Sequence, residues 1–170
     1  MKFKIIFFLL AGVAGFAQTG GSKSEWDQLD KTFVAVVKAL QENDKATFAA
    51  LSLPEVDCLS CRVTGDININ EESYFIPAEL FYENLAKNFT NSQLYKSLVS
   101  RGYSFRTVVM RDYKPSVLPP SYPQDLTLYE VWVDTYLAGE WAPQHQGLSH
   151  VFQFVKIGNN YKLFGLTTKP

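Results

Sequence analysis

The residues best suited to acid–base chemistry lie in two neighbouring segments that have the alternating pattern of β-strands. Asp134 and Tyr136 lie on one face of the first segment, and His150 lies in the second. A histidine titrates near neutral pH and a carboxylate can orient its ring, so His150 with Asp134 suits general acid–base catalysis. Strand histidines are more often structural, and no catalytic motif accompanies these residues. We name Asp134, His150 and Tyr136 as candidate catalytic residues in a protein that we do not expect to be an enzyme.

Residues of the same region could instead form the wall of a binding pocket. Alternation places Trp132 on the face of Asp134 and Tyr136, and Arg111 lies among aromatic residues of the preceding predicted strand. This mixture of carboxylates, aromatic rings and a guanidinium suits either a polar pocket wall or an ordinary solvated face, and both interpretations stay open. The pocket candidates are Trp132, Asp134, Tyr136, Arg111 and His150.

Cys58 and Cys61, the two cysteines of the chain, are separated by two residues. An oxidising compartment favours a disulfide between such close thiols, and this is the interpretation that we prefer. A thioredoxin-like redox site needs the first cysteine at a helix start within a βαβ unit, and a structural zinc site needs four ligands. These alternatives, and a pair of unmodified thiols, stay open. The sequence holds no motif for a metal or a cofactor, and we expect neither.

The first seventeen residues have the pattern of a secretion signal. Lys2 and Lys4 are basic, residues 5–13 are apolar, and small residues precede a cleavage point after Ala17. The apolar run is shorter than the roughly 20 residues that a membrane-spanning helix needs. We therefore predict a signal peptide at residues 1–17, a flexible leader at 18–24, and a periplasmic or secreted protein without a membrane span. The alternative is an uncleaved anchor.

The rest of the chain has the size and composition of one folded domain, which we place at residues 25–170. Its 13 Phe, 9 Tyr and 3 Trp can supply a large core. The formal net charge is −1, and it becomes more negative when Lys2 and Lys4 are removed. A nucleic-acid-binding surface needs clustered positive charge, so this composition argues against that class of partner.

Residue spacing predicts helices in the first half of the domain. Apolar residues recur every three or four positions from Trp26 to Leu40, after a helix start at Ser24 and Asp27. Asn43 is suited to end this helix, because asparagine tolerates the left-handed conformation. Further helices are predicted to begin at Asp44, at Pro77 and at residues 91–92, the last of them ending at Gly102.

From residue 103 onward the apolar period changes from helical spacing to two. The segments are rich in aromatic and β-branched residues, as strands are. Gly158-Asn159-Asn160 separates the last two segments and predicts a tight turn between them. The predicted strands cover residues 103–113, 126–137, 147–157 and 161–167, with a short edge strand at 62–70.

The chain closes with a hairpin whose strands read Val151-Phe152-Gln153-Phe154-Val155-Lys156 and Asn160-Tyr161-Lys162-Leu163-Phe164-Gly165-Leu166. With the helices placed first, this order of elements resembles the NTF2-like superfamily. The resemblance implies an α+β fold in which N-terminal helices pack against a curved antiparallel sheet of about four strands and enclose a pocket. In an enzyme of this kind, it further implies a carboxylate base that faces donor groups on the opposite pocket wall.

Three functions are compatible with these patterns. The first is non-catalytic binding of an apolar or amphipathic ligand in a pocket between sheet and helices. The second is an interaction module that offers a sheet face or the proline-rich segment 114–125 to another protein of the cell envelope. The third is an NTF2-like hydrolase, isomerase or dehydratase. The patterns define no oligomeric state, and a dimer is compatible with them.

Overall fold

A mixed sheet with helices packed on one of its faces forms the fold. The computed structural model describes residues 22–58 and 74–170 of the chain. Four α-helices and six strands lie in these two segments. They are α1 (Lys23–Glu42), α2 (Lys45–Leu51), β1 (Ser52–Asp57), β2 (Phe75–Pro77), α3 (Ala78–Ala86), α4 (Gln93–Arg101), β3 (Ser104–Met110), β4 (Leu126–Tyr136), β5 (Leu148–Ile157) and β6 (Asn160–Lys169).

Several predictions concern parts of the chain that the structure does not describe. The predicted signal peptide at residues 1–17, Cys61 and the predicted edge strand at 62–70 lie outside the described residues. Helix α1 begins at Lys23, so the last two residues of the predicted leader are helical. Within residues 22–58 and 74–170, none of the helices combines the length and the apolar character needed to cross a membrane.

Helix α1 begins at a capping box formed by Ser22 and Glu25. The Ser22 backbone N–H donates to Glu25 Oε2, and the Glu25 N–H donates to the Ser22 carbonyl oxygen, both at 3.0 Å. These bonds satisfy backbone groups that a helix start leaves unpaired. The predicted start at Ser24 and Asp27 is wrong by two residues, because Ser22 and Glu25 have the same spacing. Asn43 ends the helix as predicted, with a φ of 56°.

The other helix boundaries follow the capping residues that the sequence predicts. The Asp44 and Ser92 side chains each accept a hydrogen bond from the backbone N–H three residues later, at 3.0 and 3.1 Å. Helix α3 begins directly after Pro77, and α4 ends directly before Gly102. The prediction of several helices before residue 103 is therefore confirmed.

The strand order in the sheet is β2-β1-β6-β5-β4-β3. The last four strands of the chain form the predicted antiparallel meander. Strand β1 adds a parallel partner to β6, and β2 pairs antiparallel with β1. The α+β class is therefore confirmed, whereas the prediction of about four antiparallel strands is incomplete, because the described sheet is mixed and has six.

Strand β1 was not predicted, because Pro54 indicated an interruption of regular secondary structure. A proline has no N–H to donate and is normally excluded from a regular ladder. The pairing of β1 with β6 is irregular between Ser52 and Asp57, and Pro54 lies within that irregular stretch. The strand therefore tolerates its proline.

Both faces of the sheet are covered, but by different parts of the chain. We call the face that carries Val131 and Val133 the helix face, because it packs against α1. We call the opposite face, which carries Leu128, Glu130 and Trp132, the outer face. The side chains that fill the helix-face core include Trp26, Leu29, Phe33, Val36, Leu40, Phe48, Phe152, Phe154, Tyr161 and Leu163.

The proline-rich segment 114–125 covers one half of the outer face. Leu118 is buried there against Leu126, Leu128 and residues of the neighbouring strands. Lys114 Nζ donates to two carbonyl oxygens of the segment, at 2.7 and 2.8 Å, and so closes it into a compact loop. This segment, which was considered as a surface for partners, thus packs on the sheet through its apolar side chains.

Candidate functional site

The structure does not bring the candidate catalytic pair together. In the β4–β5 register Asp134 lies opposite Ser149, and His150 lies opposite Val133. Residues opposite each other share a face and successive residues alternate, so Asp134 points to the outer face and His150 to the helix face. Their hydrogen bonds agree with this, since the Ser149 hydroxyl donates to Asp134 Oδ1 at 2.8 Å. Asp134 therefore does not orient the His150 ring.

His150 has Thr135 as its hydrogen-bond partner instead. Its Nδ1 lies 2.6 Å from Thr135 Oγ1, and Thr135 is buried. Burial lowers the pKa of His150 below its ordinary value, because the charged imidazolium loses water. A half-buried histidine that is bonded to a buried threonine and lies away from Asp134 has the arrangement of a structural residue.

A β-bulge at Thr135 explains why α4 packs at this end of β4. The β4–β5 register shifts between Asp134 and Tyr136, which leaves the Thr135 carbonyl outside the regular ladder. Ser97 Oγ donates to that carbonyl oxygen at 3.0 Å, and Arg101 Nη1 donates to it at 3.3 Å. Side chains of α4 thus satisfy a backbone group that the bulge releases.

Tyr136 belongs to a group of aromatic rings at the β4–β5 loop. Its ring stacks on Trp141 with centroids 5.4 Å apart and 22° between the planes. The Trp141 ring also contacts His145, at 4.9 Å between centroids. Trp141 is 63% exposed, although the loop is well bonded, with the Gly139 N–H donating to the His145 carbonyl oxygen at 2.8 Å. We call Tyr136, Trp141 and His145 the aromatic loop cluster.

Trp132 lies on the outer face beside a buried carboxylate. Glu130 is 1% exposed, and it accepts hydrogen bonds from Trp132 Nε1 at 2.9 Å, Gln153 Nε2 at 3.0 Å and Lys169 Nζ at 2.8 Å. The Lys169 ammonium and the Arg106 guanidinium both lie over the Trp132 ring, 4.9 and 4.0 Å from its centroid. Sequence alternation put Glu130 on this face, but nothing in the sequence indicated that its carboxylate is buried and paired.

Arg111 lies far from the other pocket candidates. It follows β3 in a turn, beyond the pair that Met110 forms with Leu126. Asp134 comes eight residues after Leu126, which is about 26 Å along an extended strand. The five pocket candidates therefore divide among four places: Trp132 and Asp134 share the outer face, and the others lie on the helix face, in the aromatic loop cluster and in the turn after β3.

Within residues 22–58 and 74–170, aromatic side chains pack across the helix–sheet interface where a pocket is predicted. The Trp26 ring stacks on Phe105 with centroids 5.5 Å apart, and Phe33 contacts Phe152 at 5.2 Å. Six α1 residues, from Trp26 to Leu40, are buried in this interface. A shallow surface depression lies elsewhere, between α3 and α4, and is lined by Asn84, Leu85, Lys87, Asn88 and Ser92.

Among the described residues, strand β3 forms one edge of the sheet and carries a cluster of exposed apolar side chains. Half of the large apolar side chains exposed in the described residues lie in β3 or within three positions of it. They are Tyr103, Val108, Val109, Met110 and Tyr113. This surface was not predicted, although the apolar run Val108-Val109-Met110 interrupts the alternation that a half-buried strand would show.

The two edges of the sheet differ in how they are protected. Strand β2 is an edge of three residues that ends in Pro77. Strand β3 pairs with β4 through seven consecutive residues without a bulge, and it contains neither lysine nor proline. Natural edge strands are normally short, charged, bulged or covered, because their free backbone groups recruit other strands. In the part of the chain that the structure describes, the β3 edge has none of these protections except Arg106.

Cys58 directly follows β1 and is buried. Its backbone N–H donates to the Tyr74 carbonyl oxygen at 2.9 Å. Cys61 lies outside the described residues, so the disulfide stays a prediction. In the described part of the chain, no cluster of three or more histidine, cysteine or acidic side chains is arranged to hold a metal ion.

No protein-family model matches the chain, and no curated protein has a significantly similar sequence. The NTF2-like resemblance therefore stays a prediction from the order of elements.

Proposed function

We propose that the chain is an exported, non-catalytic interaction module that binds an extended segment of a protein along the β3 edge. The observation that carries the proposal is an edge strand of seven residues, without a bulge in its pairing and with exposed apolar side chains. In β-strand addition, main-chain hydrogen bonds to such an edge supply affinity, and alternate side chains supply specificity. The export part of the proposal depends on the sequence pattern of residues 1–17.

The distribution of exposed residues favours strand addition over docking on one face of the sheet. Val108 has the parity of the outer face, whereas Val109 has the parity of the helix face, and both are exposed. A partner lying on a single face would cover only one of them. A strand added beside β3 would place side chains on both faces and cover both valines.

Site-specific crosslinking in the cells that produce the protein tests this proposal. A benzoylphenylalanine at position 109 should give a covalent adduct with a second polypeptide. The matched control is position 99 on α4, because Val99 is 56% exposed and Val109 is 55% exposed. Position 99 should give no adduct, and Val108→Lys should abolish the adduct from position 109. Equal yields from the two positions, or no adduct from position 109, would refute strand addition.

A second candidate function is the binding of an apolar or amphipathic small molecule at the aromatic loop cluster. The observation in its favour is the exposed Trp141 ring, which an ordered loop holds against Tyr136. Ordered aromatic rings offer contact area at a low entropic cost. A native intact mass of the protein from its producing cells tests this. Extra non-covalent mass that Trp141→Ala removes and Trp132→Ala retains would support it, and the unmodified mass alone would oppose it.

A further inference from the structure

Strand β3 is complementary to itself when two copies run antiparallel about Thr107. In that register Phe105 lies opposite Val109 of the second copy, and Ser104 lies opposite Met110, with each pair formed twice. Pairs between an aromatic and a β-branched residue stabilise neighbouring strands. Arg106 is the only charged residue of β3, and it lies opposite Val108. The register therefore pairs Phe105 with Val109, and it places no like charges directly opposite each other.

The same register keeps the two sheets continuous. Residues opposite each other are both odd or both even in number, so the helix face of one copy adjoins the helix face of the other. The exposed Val109 side chains then lie beside Phe105, which α1 already packs against through Trp26. Strand β3 would thus cease to be an edge in both copies at once.

Thr107, at the centre of the register, has an unmet polar group. Its Oγ1 is buried and makes no hydrogen bond. Buried polar atoms without a partner are rare in native structures and call for a specific explanation. In the two-fold register Thr107 lies opposite Thr107 of the second copy, and rotation of the buried hydroxyl toward the edge would let the two hydroxyls bond to each other.

We infer that the strand bound by β3 is β3 of a second copy, so that the protein is a two-fold dimer with a continuous sheet. This inference rests on the proposed function, which makes β3 the binding edge, and it names the partner as the chain itself. In this dimer the same strand, β3, forms the interface in both copies. Binding of a different protein would use β3 of this chain only.

Cysteine crosslinking of the purified full chain tests the register. Ser104→Cys and Met110→Cys are to be prepared separately and treated with a short bismaleimide, alone and mixed. In the proposed register the two positions adjoin across the interface, whereas each is about 20 Å from its own copy. The mixture should therefore give a crosslinked dimer, and each variant alone should not. The wild-type chain under the same conditions controls for Cys58 and Cys61.

Light scattering across a wide concentration range supplies the second measurement. The wild-type chain should be a dimer, and Val109→Lys should weaken association about tenfold or more, because it places a charge against Phe105 of the partner. Val99→Lys should leave association unchanged. A monomer at every concentration, or a dimer whose mixed variants do not crosslink, would overturn the inference. If the adduct from position 109 in cells then contains a different protein, the interaction module stands without the dimer.

Discussion

Replacing Asp57 by asparagine should stabilise the protein at neutral pH and not at acidic pH. Asp57 ends β1 opposite Gly165, and its Oδ1 is buried without a hydrogen-bond partner. Burial raises the pKa of this carboxyl from 3.8 to about 6, because ionisation in the folded state takes place away from water. Asparagine keeps the shape of the side chain and carries no charge.

The size and the sign of the effect follow from the difference between the folded and unfolded pKa values. The folded protein binds the Asp57 proton more tightly, so the free energy of unfolding falls as the pH rises from about 3.8 to about 6. A pKa difference of about two corresponds to about 3 kcal/mol, which is an upper limit for a partly accessible group. Asp57→Asn should therefore raise the free energy of unfolding by about 1–3 kcal/mol at pH 7.5, with little change below pH 4.

Urea unfolding of the two proteins at a series of pH values measures this difference. Asp134→Asn serves as the control, because Asp134 is exposed and bonded to Ser149, and it should change stability by less than about 0.5 kcal/mol. A stabilisation by Asp57→Asn that is equally large at pH 3.5 and pH 7.5 would refute the argument from the buried charge. A loss of stability at pH 7.5 would show that the carboxylate has a partner.

Three further predictions concern other buried groups. Gly165→Ala should destabilise the protein by about 3 kcal/mol or more, because a Cβ there would overlap the Asp57 carbonyl oxygen. A thermal midpoint equal to that of the wild type would contradict this close approach. Because burial lowers the pKa of His150, the free energy of unfolding should fall as the pH drops below about 6.5, and His150→Gln should reduce that slope in the same unfolding series. Glu130→Ala should cost about 1–3 kcal/mol, because it leaves three donors without their acceptor. The exposed Glu79→Ala should cost less than about 0.5 kcal/mol; equal costs in urea unfolding would show that burial of Glu130 adds nothing.

Local patterns allowed most of the helices and four of the strands to be predicted. Capping at Asp44, Ser92 and Gly102 is read from adjacent residues, and so is the period-two pattern of the C-terminal strands. Strand β1 was missed because its parallel pairing with β6 depends on residues more than a hundred positions away. Local sequence patterns do not indicate which distant strand a segment pairs with.

The candidate site depended on strand register, which the sequence does not define. Asp134 and His150 were paired because their strands are neighbours, and the neighbouring strands are indeed β4 and β5. A register different by one residue would have put them on the same face. The pairing of the buried Glu130 carboxylate could not be predicted either. Its partner Lys169 lies in a different strand, far along the chain.

The central position of β6 has a consequence for how the chain acquires its structure. Ser52 pairs with Leu163, which lies 111 positions later, and β6 lies between β1 and β5. Contacts over such a separation form late in folding, because the entropy cost of closing a long loop comes before the contacts contribute any stability. During synthesis the first two strands have no place in the sheet until the last ten residues of the domain have emerged. The six-stranded sheet therefore cannot be completed until β6 itself has been synthesised.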